Sequence, residues 1–169
     1  HLENREMIDQ MIDSFYSTVK NSYNIYCLSE NYCEDLMWAH YADNHAGYCL
    51  GYKVKDFSSA IIDVTLPVIY TDKYVIIKDL DLVDGVTSMY ALTLKKKCWE
   101  YEREWRIFYP LNSPFHPESM PLPSVIYLGN RITDENKKTI SDFCKSKSIQ
   151  IQQMALDKAT HKLIATIID

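Results

Sequence analysis

The chain has 169 residues, of which 47% are hydrophobic and 24% are charged, and its formal net charge is −5. These values are typical of one folded globular domain, and they exclude a disordered or fibrous protein. The acidic balance argues against general nucleic-acid binding, because affinity for phosphate backbones depends on Lys and Arg. No apolar run reaches the length of a membrane span and the first residues lack a signal-peptide pattern, so the sequence predicts a cytoplasmic protein.

The five cysteines are odd in number and contain no Cys-x-x-Cys pair. They predict reduced, mostly buried thiols rather than a disulfide framework or a zinc site. The first residue is not methionine, and the chain opens directly into a helical pattern. We therefore expect that the chain is a fragment whose natural N-terminal segment is missing.

The first half of the chain alternates helical and extended patterns. Apolar spacing predicts a helix over residues 4–20 and a buried strand over residues 25–29. Asn31 followed by Glu34 resembles a capping box and predicts the start of a second helix, which carries Leu36, Met37, His40 and Tyr41 on one face and ends near Asn44 or Gly47. Alternating side chains predict strands over the ranges 48–53, 65–70, 74–77 and 99–109, with a helix over 86–97. Gly51 inside the first of these strands indicates a bulge or a close backbone approach.

The second half ends in a clearer pattern. The proline-rich residues 110–123 form a long loop, and a short buried strand follows over 125–128. Thr133 caps a helix that ends near residue 147, and two strands over 149–156 and 161–168 complete the chain. The sequence predicts an α+β fold, a single domain over residues 1–169 with a mixed, largely antiparallel sheet and about three to four packed helices.

Residues 36–52 combine histidines, tyrosines, a tryptophan and an aspartate, which suggests a site. His40 and His45 are five residues apart, so on one continuous helix they could not share a metal ion. A helix end between them could bring them together with Asp43, but we predict no metal site. The alternative places His40 on the core face of the helix and His45 in a turn.

Three glutamates, Glu100, Glu102 and Glu104, share one face of the predicted strand at steps of about 7 Å. Arg106 on that face can pair with only one neighbour at a time, so the row is either a solvated face or a functional one. In the functional interpretation Glu102 or Glu104 anchors a sugar hydroxyl or acts as a general base. Arg103 lies among aromatic side chains on the opposite face and should be paired or stacked.

The runs over residues 36–49 and 99–106 resemble the two hallmark segments of a bacterial family called domain of unknown function twenty-nine seventy-one. Residues 27–30 and 125–130 resemble two short strands of the same family, so the resemblance spans about residues 25–131. The family name implies no activity. Its members usually begin with a Lys-Tyr-Arg strand and an Asn-Asp-Pro-Phe-Asp segment, and neither occurs here, in line with a missing front segment.

Two functional hypotheses follow. The first is a nucleotide-handling enzyme, in its most specific form an ADP-ribosyl transferase that uses NAD, in which a strand glutamate holds the ribose while positive charge develops at the anomeric carbon. Its candidate catalytic residues are His40, Tyr41, Glu102 and Glu104.

The second hypothesis is a non-catalytic module that binds a small molecule or a protein through an aromatic and arginine patch. Both motifs could also serve mainly to pack the helix on the sheet. The candidate ligand-binding residues are Trp38, His45, Tyr48, Trp99, Arg103, Trp105 and Arg106. The enzyme hypothesis predicts that the side chains of His40 and Glu104 converge. The sequence gives no oligomeric state.

Overall fold

The computed structural model describes residues 2–73, 85–111 and 120–168. Contacts divide the chain into two compact units, the first made of His1–Leu28 and Ser59–Ser119 and the second of Ser29–Ser58 and Met120–Asp169. Each unit therefore combines two separate stretches of sequence. The single domain over residues 1–169 stays a prediction.

Five α-helices and nine strands are present in the described residues. In chain order they are α1 (Leu2–Lys20), β1 (Tyr23–Ser29), α2 (Asp35–Tyr41), β2 (Tyr48–Gly51), α3 (Ser59–Ile62), β3 (Thr65–Pro67), β4 (Ile69–Tyr70), α4 (Gly85–Thr93), β5 (Leu94–Lys95), β6 (Glu104–Pro110), β7 (Val125–Leu128), α5 (Asp134–Lys147), β8 (Gln150–Leu156) and β9 (Leu163–Ile167). Two 3-10 helices, Val54–Asp56 and Lys97–Glu102, follow β2 and β5.

The first unit contains a three-stranded sheet of order β1-β6-β3 and a small parallel pair, β4 with β5. β3 runs antiparallel to β6, with Leu66 opposite Arg106. Ile61, Ile107 and Phe108 are fully buried here, so the central strand β6 supplies much of the core. β6 thereby fixes the position of the charged residues at its start.

The second unit is built on a four-stranded sheet of order β2-β7-β8-β9. β7 pairs antiparallel with β2 and parallel with β8, and β9 returns antiparallel to β8. One apolar cluster of this unit includes Leu128, Cys144 and Ile151, and a second includes Trp38 and Met154. The helix α2 is anchored in the second cluster.

The predicted α+β class with mostly antiparallel strands is confirmed, since three of the five pairs with a defined direction are antiparallel. The Thr133 cap is also confirmed, because its side chain accepts a hydrogen bond from the Asn136 N–H group. Gly51 does mark a close approach: a Cβ atom there would lie 2.5 Å from a Val125 methyl carbon.

Other expectations were wrong. The predicted strand over 99–109 is a 3-10 helix up to Glu102 and a strand only from Glu104, because the backbone of Arg103 is left-handed, with φ 44°. The predicted helix over 86–97 ends at Thr93 and is followed by β5. The predicted strand over 74–77 and residues 112–119 of the predicted loop lie outside the described residues.

The five cysteines are unpaired as predicted, but they are not mostly buried. Cys144 is buried, Cys33 and Cys49 are half-buried, and Cys27 and Cys98 are exposed. In the described part of the chain, no helix combines the length and the apolar content needed to cross a membrane.

Candidate functional site

Four charged side chains of the first unit, Lys95, Glu102, Glu104 and Arg106, form what we call the charge cluster. The left-handed backbone of Arg103 turns the chain between Glu102 and Glu104, so the two glutamates reach the same lysine from a helical turn and from a strand. In a regular strand these glutamates would instead stand side by side, about 7 Å apart.

Glu104 is the centre of the cluster. Its Oε1 accepts a hydrogen bond from Arg106 Nε at 2.7 Å, and its Oε2 accepts from Lys95 Nζ at 2.8 Å and from Arg106 Nη2 at 3.3 Å. The side chain is only 6% exposed and that of Glu102 only 3%, so both carboxylates lie inside the protein. Buried carboxylates require such partners, because desolvation otherwise disfavours their charge.

The two cations are held by further contacts. Lys95 Nζ also donates to Glu102 Oε2 and lies 5.3 Å from the centre of the Trp99 ring, a cation–π distance. Arg106 Nη1 donates to the Leu92 carbonyl oxygen. The ammonium and the guanidinium are therefore fixed in position by contacts within the protein.

The pKa values follow from these contacts. Burial alone would raise the pKa of Glu104, but hydrogen bonds from Arg106, Lys95 and Cys27 outweigh it and lower that pKa to about 2. Burial would lower the pKa values of Lys95 and Arg106, and the adjacent carboxylates raise both instead. All three groups are consequently charged at every physiological pH.

Two uncharged side chains adjoin Glu104. The Tyr70 hydroxyl oxygen accepts a hydrogen bond from the Glu104 backbone N–H at 2.8 Å, and Tyr70 is opposite Lys95 in the β4–β5 pair. The Cys27 thiol lies beside the Glu104 carboxylate, and each group shifts the pKa of the other. Although much of the Cys27 residue is exposed, desolvation of its thiol and the Glu104 charge raise the pKa of Cys27 to about 11.

These features define the chemistry that the cluster can perform. A carboxylate with a pKa of about 2 is a poor general base near neutral pH, because proton transfer is most efficient when the pKa is close to the working pH. The same carboxylate can accept a hydrogen bond from a hydroxyl group and can stabilise a developing positive charge. The base role that the sequence allowed for Glu104 is therefore disfavoured.

The second unit contains the other motif, centred on α2. Trp38 is 3% exposed, and its indole N–H donates to the Tyr32 carbonyl oxygen at 2.7 Å. After α2 the chain enters a turn in which Asp43, Asn44 and His45 all have left-handed backbones. Three consecutive non-glycine residues in this region are unfavourable, so the surrounding packing must impose the turn.

His45 is held tightly by this turn. Its ring stacks on Trp38, with 6.4 Å between ring centres, and its Nε2 lies 3.7 Å from an Asp35 carboxylate oxygen. Nδ1 is buried and has no hydrogen-bond partner among the described residues. A Cβ atom on Gly129 would lie 2.0 Å from the His45 carbonyl oxygen, so only glycine fits beside this turn.

Within each unit, the structure groups several of the predicted site residues. The charge cluster contains Glu102, Glu104 and Arg106. The Trp99 ring contacts the Lys95 ammonium of this cluster. Trp38 and His45 meet in the second unit. His40 and Glu104 belong to different units.

The second helix begins at Asp35, with Glu34 as its N-cap and no capping side chain, rather than just after Asn31, and its predicted apolar face was wrong. Trp38 and Ala42 point into the core, whereas Leu36, His40 and Tyr41 are exposed, Tyr41 by 63%. His40 thus does not occupy the core face that the sequence allowed for it.

The remaining site candidates differ in exposure. Tyr48 is exposed, and Trp105 is half-buried. Arg103 was expected among aromatic side chains on a strand face; it is an exposed residue at a left-handed turn instead. Among the described residues, no three His, Cys, Asp or Glu side chains are grouped so that they could hold a metal ion.

Lys95 is the residue of the charge cluster that the sequence analysis did not predict. It is the first of three consecutive lysines, a pattern that usually marks a solvated surface. Tyr70 and Cys27 were missed for a different reason, because they reach Glu104 from strands that are distant in sequence. No local pattern could have indicated any of these three contacts.

Comparison with known proteins gives one match. The sequence model of the family described as "Protein of unknown function (DUF2971)" matches residues 37–107, which is less than half of the chain. The resemblance predicted from the two motifs is thereby confirmed, and the match includes most of α2 as well as Glu104. No curated protein and no solved structure matches.

Proposed function

We propose that this protein is a cytoplasmic, bacterial nucleotide-handling enzyme of the ADP-ribosyl-transfer type, and that the charge cluster is its site. The observation that carries the proposal is Glu104, a buried carboxylate that Lys95 and Arg106 keep ionised at the first residue of β6. Five unpaired cysteines agree with a reducing compartment.

The role of Glu104 follows from its hydrogen bonds. Its carboxylate accepts three hydrogen bonds from charged donors, and the Cys27 thiol beside it is a weak, uncharged donor. A ribose hydroxyl that displaces the thiol would gain a charge-assisted hydrogen bond, while Lys95 and Arg106 stay in place. Glu104 then acts as an acceptor rather than as a base.

The reaction that suits this carboxylate breaks the bond between the ribose anomeric carbon and the nicotinamide nitrogen of NAD. Nicotinamide leaves with the bonding electron pair, the ribose becomes positively charged, and an acceptor nucleophile forms the new bond to the anomeric carbon as it releases its proton. A fixed negative charge stabilises the positive charge on the sugar. Near the cluster, Trp99 and Tyr101, whose ring centres are 6.0 Å apart, offer aromatic surface for a planar base.

The test measures the release of nicotinamide from NAD by mass spectrometry, for the 169-residue chain and for its Glu104→Gln variant. We expect turnover by the chain and a loss of at least about a hundredfold in the variant, because the amide lacks the negative charge. Glu100→Gln is the matched control: Glu100 is exposed and only four residues away, so its loss should leave turnover unchanged. A folded chain that neither binds NAD nor releases nicotinamide would overturn the proposal.

A second candidate is a non-catalytic binding module in the second unit. Leu36, His40 and Tyr41 give α2 an exposed, largely apolar face, and Tyr48 is exposed at the start of β2. Exposed aromatic side chains favour binding, because they bury a large area with little loss of freedom. A chain that binds NAD without turnover, with equal affinity for Glu104→Gln and weaker affinity for Tyr41→Ser, would favour this module over the enzyme.

A further inference from the structure

We infer that Lys95, Arg106 and Tyr70 form a subsite for a diphosphate group, the part of a dinucleotide that lies between its two riboses. This inference rests on the proposed function and deepens it, because it assigns the ligand class to particular donors. The cluster contains two cations and two carboxylates, and they differ in their position relative to solvent.

The cations are more exposed than the carboxylates. The side chains of Lys95 and Arg106 are 20% and 17% exposed, whereas those of Glu102 and Glu104 are 3% and 6% exposed. The glutamates therefore lie on the inner side and hold the cations at the outer side. A ligand that approaches from solvent meets positive charge before it meets negative charge.

The cations retain donors for such a ligand. The Lys95 ammonium has three N–H groups, of which one bonds to Glu102 and one to Glu104. The Arg106 guanidinium has five, of which Nε and one on Nη2 bond to Glu104 and one on Nη1 bonds to Leu92. Within the described residues this leaves one N–H on Lys95 and two on Arg106.

Tyr70 adds a neutral donor at the same place. Its hydroxyl oxygen accepts the Glu104 backbone N–H, so the O–H hydrogen is directed elsewhere, and no hydrogen bond donated by it is found in the described part of the chain. Because Tyr70 is paired with Lys95 across β4 and β5, their side chains project from the same face of the small parallel sheet. Hydroxyl, ammonium and guanidinium groups are the donors with which proteins bind phosphate oxygens.

Donors on three separate side chains favour a diphosphate over a single phosphate. The two cations and two carboxylates sum to zero, so general attraction for an anion is weak and affinity must come from several hydrogen bonds. A diphosphate offers more acceptor oxygens than one phosphate and can engage Lys95 and Arg106 together. A neutral nucleoside offers none of these oxygens and should not bind to this subsite.

Titration calorimetry with inorganic pyrophosphate, and with adenosine for comparison, tests the subsite without requiring turnover. The informative variant is the double substitution Lys95→Met with Glu102→Gln, which removes one cation and one anion and leaves the Glu104–Arg106 pair intact. We expect the chain to bind pyrophosphate. The double variant should bind it at least about tenfold more weakly, since charge-assisted hydrogen bonds are lost.

Lys97→Met is the matched control, because Lys97 is an exposed lysine two residues away that has no contact with the cluster in the described residues. Tyr70→Phe retains all four charges and should weaken binding severalfold, so it preserves the test if the double variant fails to fold. A folded chain that does not bind pyrophosphate, or an equal loss in Lys97→Met, would overturn the subsite. Pyrophosphate binding by a chain that leaves NAD intact would overturn only the proposed reaction.

Discussion

Glu104 remains charged inside the protein because Arg106 and Lys95 compensate for the loss of water around its carboxylate. The partners hold its pKa at about 2, below the ordinary value of 4.5. A carboxyl group whose pKa is lower in the folded state stabilises the fold above its unfolded pKa. It loses that contribution as the pH falls toward the folded value.

We therefore predict that the chain loses up to about 3 kcal/mol of stability between pH 5 and pH 2 through Glu104 alone. Urea denaturation at several pH values in this range measures the loss. Glu104→Gln should show a flatter dependence, because an amide does not titrate, while Glu100→Gln should follow the unmodified chain. Parallel curves for the chain and Glu104→Gln would contradict the low pKa.

At the scale of single residues, the sequence identified Glu102, Glu104 and Arg106 because they are close together in one strongly charged motif. It placed them incorrectly, since alternation over residues 99–109 predicts a strand and takes no account of the left-handed backbone at Arg103. A left-handed arginine has no signature comparable to that of glycine. The ion pairs of Glu102 and Glu104 with Lys95 could therefore not be predicted from the sequence pattern.

At the scale of elements, α2 shows why the existence of a helix is easier to predict than its orientation. Its sequence has large apolar or aromatic residues on more than one side, including Leu36, Trp38 and Tyr41, so periodicity does not select a core face. In the structure Trp38 packs with Met154, and Leu36 remains exposed. By contrast, α5 has a clear N-terminal cap and charges that suit its dipole, and its prediction was correct.

Substitutions on the buried and on the exposed side of α2 should differ in their effect on stability. We predict that Trp38→Ala destabilises the fold by about 3 to 5 kcal/mol, because it removes a buried ring and a buried hydrogen bond. Leu36→Ala on the exposed side should change stability by less than about 0.5 kcal/mol. Urea denaturation followed by circular dichroism measures both, and similar losses for the two variants would show that the helix face is assigned incorrectly.

At the scale of the whole molecule, each compact unit is made of two stretches of sequence separated by tens of residues. Local patterns located most strands, but strand partners such as β1 with β6, or β2 with β7, depend on packing over the whole chain. This is why the fold class could be predicted and the sheet order could not.

The thiols report on the packing of both units. We predict that, in the folded chain, iodoacetamide modifies Cys98 rapidly and Cys27 at least about tenfold more slowly, since the raised pKa of Cys27 leaves little reactive thiolate. The buried Cys144 should react only after unfolding. Peptide mapping by mass spectrometry measures the rates at each position.

Glu104→Gln provides the control for this experiment, because it removes the carboxylate that raises the pKa of Cys27, and the Cys27 rate should increase. A Cys27 rate equal to that of Cys98 in the unmodified chain would argue against the contact between the thiol and Glu104.

The strand order also determines which truncations of the chain can fold. The family match over 37–107 begins within α2 and stops in the middle of β6. A piece excised at those limits would lack β1, the neighbour of β6, and β7, the neighbour of β2, and would expose strand edges that promote aggregation. A truncation intended for expression should therefore retain residues 23–167, because β8 and β9 complete the sheet of β7 and Met154 of β8 packs with Trp38, although the motifs themselves occupy a much shorter region.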